Sequence, residues 1–155
     1  MAEHTTQRLR IKATPAQCFA VVSDFAHYPE WAPDIKVVTV EETDAQGRPS
    51  LVTFRAAAFG RSTTVTLGYD YADAPRRLAW LQSRGDITSR YDGAYEFEEL
   101  DDGETEVTYH LEVELRVPIP GFVKRRAESR IVGTVLRELK AKVEGGVRGA
   151  TTPAS

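Results

Sequence analysis

Apolar residues return at Val123, Ala127, Ile131, Val135, Leu139 and Val143, and Val132, Leu136 and Ala141 widen that row into a stripe. The positions between them are mostly Arg, Lys and Glu. A four-residue beat with three-residue corrections predicts one long amphipathic helix. Pro118, Pro120 and Gly121 interrupt whatever precedes it, because proline lacks a backbone N–H and glycine frees the turn. The pair Gly145-Gly146 predicts its end. Residues 1–144 then form a single domain and 145–155 a flexible tail of small polar residues. At roughly 1.5–3 kcal/mol per well-buried aliphatic side chain, such a stripe requires a large apolar partner surface.

Upstream the period drops to two. Arg8-Leu9-Arg10-Ile11-Lys12 alternates, predicting a strand with Leu9 and Ile11 inward. Thr14-Pro15 supplies an N-cap and a first-turn proline, so a short helix follows with Cys18, Phe19 and Val22 on one face, ending near Asp24. Phe25 to Ala32 predicts a second short helix or turn, entered through Pro29 and ended by Pro33. Strands are expected at Ile35–Glu42, Ser50–Phe59, Ser62–Tyr71, Arg77–Ser83, Ser89–Glu99 and Glu104–Val117, separated by Asp-, Gly- and Pro-containing turns. Links this short imply antiparallel neighbours. Each strand has one dry side: Val52, Phe54 and Ala56 on one, Val65, Leu67, Tyr69 and Tyr71 on the next. Tyr91, Gly93, Tyr95 and Phe97 share a side further on, as do Val107, Tyr109, Leu111, Val113 and Leu115. A one-faced sheet and a one-striped helix satisfy each other if the sheet curves and the helix lies in its concavity.

Several stretches also carry a resemblance. They are Ala13-Thr14-Pro15-Ala16, Asp24-Phe25 with Tyr28-Pro29-Glu30-Trp31, Glu104-Thr105-Glu106-Val107-Thr108-Tyr109, and Pro118-Ile119-Pro120-Gly121-Phe122 leading to Leu139-Lys140. With the order of elements, they make residues 8–143 resemble the START and birch-pollen-allergen-like (SRPBCC) superfamily. The branch they resemble is the polyketide cyclase/dehydrase and coenzyme Q-binding-protein-like group. That resemblance implies an α+β helix-grip fold: a curved antiparallel sheet of about seven strands wrapped on a long C-terminal helix, with two short helices after the first strand. It also implies a deep cavity between sheet and helix, used for lipids, sterols, quinones, polyketides or plant hormones. Aromatase/cyclase members place a tyrosine shortly after the tryptophan/tyrosine-proline-glutamate segment and an arginine on the strand matching Ser62–Tyr71. This chain has Ile35 at the first place, and Tyr69, Asp70 and Tyr71 but no arginine near the second. The resemblance therefore carries architecture further than activity.

The residues themselves also point to a cavity. The dry faces hold Tyr69, Tyr71, Trp80, Tyr91, Tyr95 and Tyr109, whose O–H and N–H groups need partners when buried. A few polar groups among apolar walls line small-molecule pockets, although the same rings can fill a solid core with hydroxyls reaching the sheet ends. The expected function is binding of a hydrophobic or amphipathic small molecule: a lipid, quinone or polyketide-like compound. Val52, Phe54, Val65, Leu67, Tyr69, Trp80, Tyr95 and Tyr109 are the expected sheet wall, and Ile131, Val135 and Leu139 the lid. Trp31 closes one end. The alternatives are a polyketide cyclase/dehydrase-type enzyme using pocket Tyr and Asp/Arg groups, and a protein-interaction module using the basic helix start.

Titratable groups add little chemistry. His4 lies in the N-terminal arm, His27 in the short-helix connection, and His110 has the parity of the wet face. Cys18 reads as a small core residue. Metal-ligand spacing, a glycine-rich phosphate loop and a nucleophile elbow are all missing from the sequence; no catalytic residue, metal or cofactor is assigned. Arg84-Gly85-Asp86 reads as a hairpin turn. Lys124-Arg125-Arg126 with Arg130 reads as a solvated face or as the frame of an anionic head group at a cavity mouth. Cations sit poorly near a helix N-terminus, so Glu128 is the expected local partner.

The chain of 155 residues carries 20 Lys+Arg against 23 Asp+Glu, a formal charge of −3. That balance provides no basic field for nucleic acid. No apolar run approaches the roughly 20 residues of a membrane span, and one cysteine forms no internal disulfide. A cytoplasmic protein without an integral membrane segment is expected, with its oligomeric state open.

Overall fold

The computed structural model describes residues 3–151, with side chains described from 4 to 146. The first strand, β1 (Glu3–Ile11), starts well before the alternating stretch that predicts it. Two short helices follow: α1 (Pro15–Val22), then a 3-10 turn at Phe25–His27 running into α2 (Tyr28–Trp31). Six strands come next: β2 (Ile35–Thr43), β3 (Pro49–Ala58), β4 (Arg61–Asp70), β5 (Arg77–Gly85), β6 (Thr88–Glu99) and β7 (Thr105–Leu115). The last element is α3 (Gly121–Thr151).

All seven strands form one antiparallel sheet in the order β1-β7-β6-β5-β4-β3-β2. This is the expected helix-grip arrangement. The polar segment His4-Thr5-Thr6-Gln7 has no alternation of its own and is held by pairing with β7, His4 opposite Glu112 and Gln7 opposite Tyr109. The short helices carry the chain from one edge of the sheet to the other. Thr14 starts α1 as a capping box: its Oγ1 accepts from Gln17 N at 3.2 Å, and Thr14 N donates to Gln17 Oε1 at 2.9 Å.

The packed core joins Ile11, Cys18, Val22, Leu78, Val107, Leu111 and Val113 to Val132, Leu136, Leu139 and Val143 of α3. The expected partner for the basic helix start is present. Lys124 Nζ lies 2.6 Å from Glu128 Oε1, and Glu128 is fully buried. The glycine pair does not end the helix: α3 stays helical through Gly145-Gly146 to Thr151. Glycine weakens a helix by about 1 kcal/mol relative to alanine but forbids nothing. Residues 145–151 therefore extend the helix instead of beginning a tail, and 152–155 lie outside the described residues. Among the described residues no helix is long and apolar enough to cross a membrane.

Candidate ligand-binding cavity

The helix does not cover the sheet evenly. It packs on β1, β7 and α1 and touches α2, while β3, β4 and β5 are not among its main neighbours. Its apolar stripe divides accordingly. Val132, Leu136, Leu139 and Val143 are buried in the core, whereas Ala127, Ile131 and Val135 are only half-buried. The second row faces a cavity of about 800 Å³ between α3 and the inner faces of β3–β7.

The wall is built by strand alternation. Phe54, Val65, Leu67, Tyr69, Trp80, Tyr95 and Tyr109 all line it, with Trp31 at the α2 end and Ile131 and Val135 on the helix. Two expected members are elsewhere. Val52 and Leu139 are fully buried in the packed core and line no part of the cavity. Near Val52 the rings of Phe25 and Tyr28 pack on Phe54 at 6.2 and 5.8 Å, and Phe25 on Tyr69 at 4.5 Å, filling the space over that end of the sheet. Leu139 belongs to the same buried cluster as Cys18 and Val22 of α1.

Deep in the wall, the Trp80 indole lies over Gly93, its partner on β6. A Cβ at Gly93 would collide with the His110 carbonyl oxygen and meet a Trp80 ring carbon at 2.6 Å, so the ring's position depends on the missing side chain. Trp80 also touches Tyr69, Tyr95 and Tyr109, with ring centroids 5.9, 5.3 and 5.7 Å away.

Polar groups in this wall are unequally satisfied. Tyr28 Oη donates to the Val22 carbonyl, and Tyr71 Oη to the Pro49 carbonyl at 2.6 Å. Tyr91 and Tyr109 hydrogen-bond each other. Tyr69 and Tyr95 have no hydrogen-bond partner among the described residues, and neither does the buried Trp80 Nε1. Burial, reinforced by neighbouring phenols, pushes the hydroxyls of Tyr28, Tyr69, Tyr95 and Tyr109 well above the usual phenol value. Burial raises Tyr91 to about 12 against the opposing effect of its Tyr109 bond. These hydroxyls stay protonated at neutral pH, so the wall offers hydrogen-bond donors and no phenolate base.

The rim is where the lining becomes exposed. Gly60 and Arg61 contribute from the β3–β4 turn, Asp34 from the segment before β2, and Val123, Arg126 and Arg130 from α3. The turn has Phe59 at φ 54° and Gly60 at φ 75°, both left-handed, as a two-residue hairpin turn requires. Phe59 pays about 1 kcal/mol or more for that conformation and presents its ring to the cavity. Thr134 and Glu138 continue the polar row of α3; burial raises the Glu138 carboxyl, and nearby Asp34 raises it further.

Sequence reasoning passed over several wall members: Tyr28, Thr63, Thr88, Ile119 and the hairpin tip. Tyr91 was legible as a dry-face residue, and Arg126, Arg130, Thr134 and Glu138 as a four-residue polar row beside the apolar one.

The other candidates lie outside. His27 Nδ1 sits 2.8 Å from Asp24, and His110 Nε2 2.5 Å from Glu96 on the outer face. Burial raises the Cys18 thiol to about 11, which leaves it inert as a nucleophile. Arg84-Gly85-Asp86 is turned inward chemically: the Asp86 carboxylate accepts from Thr63 Oγ1 at 2.6 Å and Thr64 N at 3.0 Å, tying the turn to β4. Among the described residues no three His, Cys, Asp or Glu side chains cluster as metal ligands.

The sequence profile described as polyketide cyclase/dehydrase and lipid transport matches residues 2–144. No curated protein sequence matches. A START superfamily protein from Mycobacterium smegmatis superposes with a TM-score of 0.86 at 22% identity, covering 92% of this chain and 97% of that one. The Zhui aromatase/cyclase from Streptomyces sp. R1128 superposes at 0.85 with 17% identity, over 99% and 100% of the two chains. A major latex-like protein from Panax ginseng gives 0.70 at 13% identity, over 91% and 97%. At such identities the likeness is one of fold.

Proposed function

The chain belongs to the polyketide cyclase/dehydrase and lipid transport family, and from that premise we propose that it binds a hydrophobic or amphipathic small molecule in the cavity between sheet and α3. A lipid, a quinone or a polyketide-like compound fits the wall. One observation carries the reading: about 800 Å³ of mostly apolar space is lined by Tyr69, Tyr95 and Trp80, whose hydroxyls and buried indole N–H donate to no group among the described residues. Left dry and empty, a void of that size would cost on the order of 20 kcal/mol at about 24 cal/mol per Å³. That exceeds the whole stability of an ordinary domain. Water or a ligand therefore fills it, and a ligand bearing an acceptor oxygen satisfies the donors and the apolar wall together.

Binding without turnover fits the protonated state of the tyrosines. Catalysis on a polyketide-like carbonyl compound is the second reading, favoured by the raised Glu138 carboxyl at the rim. A cytoplasmic location belongs to the same proposal and rests on the single cysteine. The test is native mass spectrometry and organic extraction of gently purified protein, followed by titration with a fluorescent apolar probe. A stoichiometric adduct or a displaceable probe is expected. A bare mass, an empty extract and no probe binding would overturn the proposal. Turnover of a model polyketone, lost in Tyr69→Phe or Tyr95→Phe, would move the conclusion to the second reading.

A further inference from the structure

The rim of the cavity is not electrically uniform. Arg126 and Arg130 both line it from α3. They stand one turn apart, so their side chains share a face about 5–6 Å apart at Cβ. Arg61 lines the same cavity from the β3–β4 turn. All three residues are exposed, and among the described residues no ion pair or hydrogen bond engages the guanidinium of any of them. The arrangement contrasts with Lys124, whose charge is consumed by buried Glu128 at 2.6 Å. The acids in the lining are Asp34 and Glu138. Glu138 lies eight residues beyond Arg130 on α3, about 12 Å along the axis, where burial raises its carboxyl and the charge of nearby Asp34 raises it further. The acids thus gather near α2 and leave the two helix arginines uncompensated.

Exposed arginines usually point into water and need no explanation. These two sit beside Val123, Ala127, Ile131 and Val135, the apolar row that faces the cavity. A molecule whose body lies against that row has its outer end between the guanidinium groups. A planar guanidinium recognises carboxylate or phosphate oxygens through paired hydrogen bonds. We infer that the ligand of this cavity is an anionic amphiphile, held with its carboxylate or phosphate head between Arg126 and Arg130 at the mouth, with Arg61 as a third cation, and its apolar body against the aromatic wall. This assignment rests on the cavity-binding reading above and specifies the chemistry of the ligand's outer end.

The experiment uses the full chain with the uncharged fluorophore N-phenyl-1-naphthylamine in the cavity. It is displaced by dodecanoate, dodecyl phosphate, dodecanol and dodecyltrimethylammonium, each below its micelle concentration. The two anions are expected to displace at concentrations about tenfold or more below dodecanol, as charge-assisted hydrogen bonds imply, with the cation weakest. Whichever anion binds tighter identifies the head group. Arg126→Gln combined with Arg130→Gln should abolish the anion preference, bringing both anions to the displacing concentration of dodecanol measured on the same variant; both residues are exposed, and circular dichroism checks the fold. Raised salt should narrow the preference in the natural protein. Dodecanol displacing as well as dodecanoate, or an anion preference that survives the double variant, would overturn the head-group assignment and leave the cavity reading standing. Failure of the fluorophore and all four competitors to bind would remove the cavity reading itself.

Discussion

Leu139 and Ile131 belong to the same helix and the same apolar stripe, yet the structure gives them different work. Leu139 is fully buried in the core, while Ile131 is half-buried against the cavity. Truncation to alanine removes equal numbers of carbons from both. At about 0.8 kcal/mol per buried methylene, Leu139→Ala loses a little over 2 kcal/mol in transfer alone. The new void adds to that, for a total within about 2–5 kcal/mol. Ile131→Ala opens no new void, because the space beside it already exists. About half of its transfer contribution is at stake, and alanine returns a few tenths of a kcal/mol in helix propensity. A net loss near 1 kcal/mol follows. For a chain of this length each kcal/mol shifts the midpoint by about 2–4 °C. Thermal unfolding followed by circular dichroism should therefore show a fall of about 10 °C for Leu139→Ala and about 3 °C for Ile131→Ala. Binding of an apolar fluorophore should weaken only in Ile131→Ala. Equal destabilisation by the two would mean that Ile131 is packed as tightly as Leu139, and would refute the open cavity.

The remaining predictions concern single contacts. Gly93→Ala forces a Cβ against the Trp80 ring and the His110 carbonyl; a loss of about 1–3 kcal/mol in urea unfolding is expected, with a shifted tryptophan emission maximum. Glu128→Ala leaves Lys124 with its charge only 13% exposed and unpaired, and should destabilise by about 3–5 kcal/mol, whereas replacing both residues by apolar ones should cost much less; a double-mutant cycle separates the two. The hydrogen bond to Asp24, with the nearby acidic charges, raises the pKa of His27 above its ordinary value. Its stabilising contribution is then present below the unfolded value near 6.5 and is lost as pH rises through the higher folded value. An NMR titration should place His27 above that reference in the natural protein and close to it in Asp24→Asn.

Much of this architecture is written in periodicities. The change from a beat of two to a beat of four separates the strands from α3, and the capping pattern Thr14-Pro15 with Gln17 fixes the start of α1. Seven of the expected wall residues line the cavity because strand parity decides their side. Parity does not decide depth. Val52 has the same parity as Phe54, but rings contributed from the 3-10 turn and α2 cover its end of the sheet. No local pattern in β3 announces what a distant segment lays over it. The rim was illegible for a related reason: Gly60, Arg61 and Asp34 come together only when a hairpin turn and the segment before β2 meet the helix. Gly145-Gly146 misleads in the opposite direction, since a residue that permits a helix to end does not compel it to.

What holds the cavity open follows from the same accounting of rings. A helix with so wide an apolar stripe would gain by settling fully onto β3, β4 and β5. Phe25, Tyr28 and Trp31 stand in the way. Tyr28 packs on Trp31 at 5.0 Å and Phe25 on Tyr69 at 4.5 Å, so the short helices form an aromatic wedge over one end of the sheet. Behind the wedge α1 packs directly on α3 and fixes where the helix can lie. The other edge is fixed by the packing of α3 on β1 and β7, where Thr5 Oγ1 of β1 donates to Glu128 Oε2 at 3.5 Å. With both edges set, the helix spans the concavity and its Ile131–Val135 row is only half-buried by the protein. Any further burial of the row comes from a molecule that is not part of the chain. The short helical turns at one edge and the contact of α3 with β1 and β7 at the other thereby set the dimensions of the cavity.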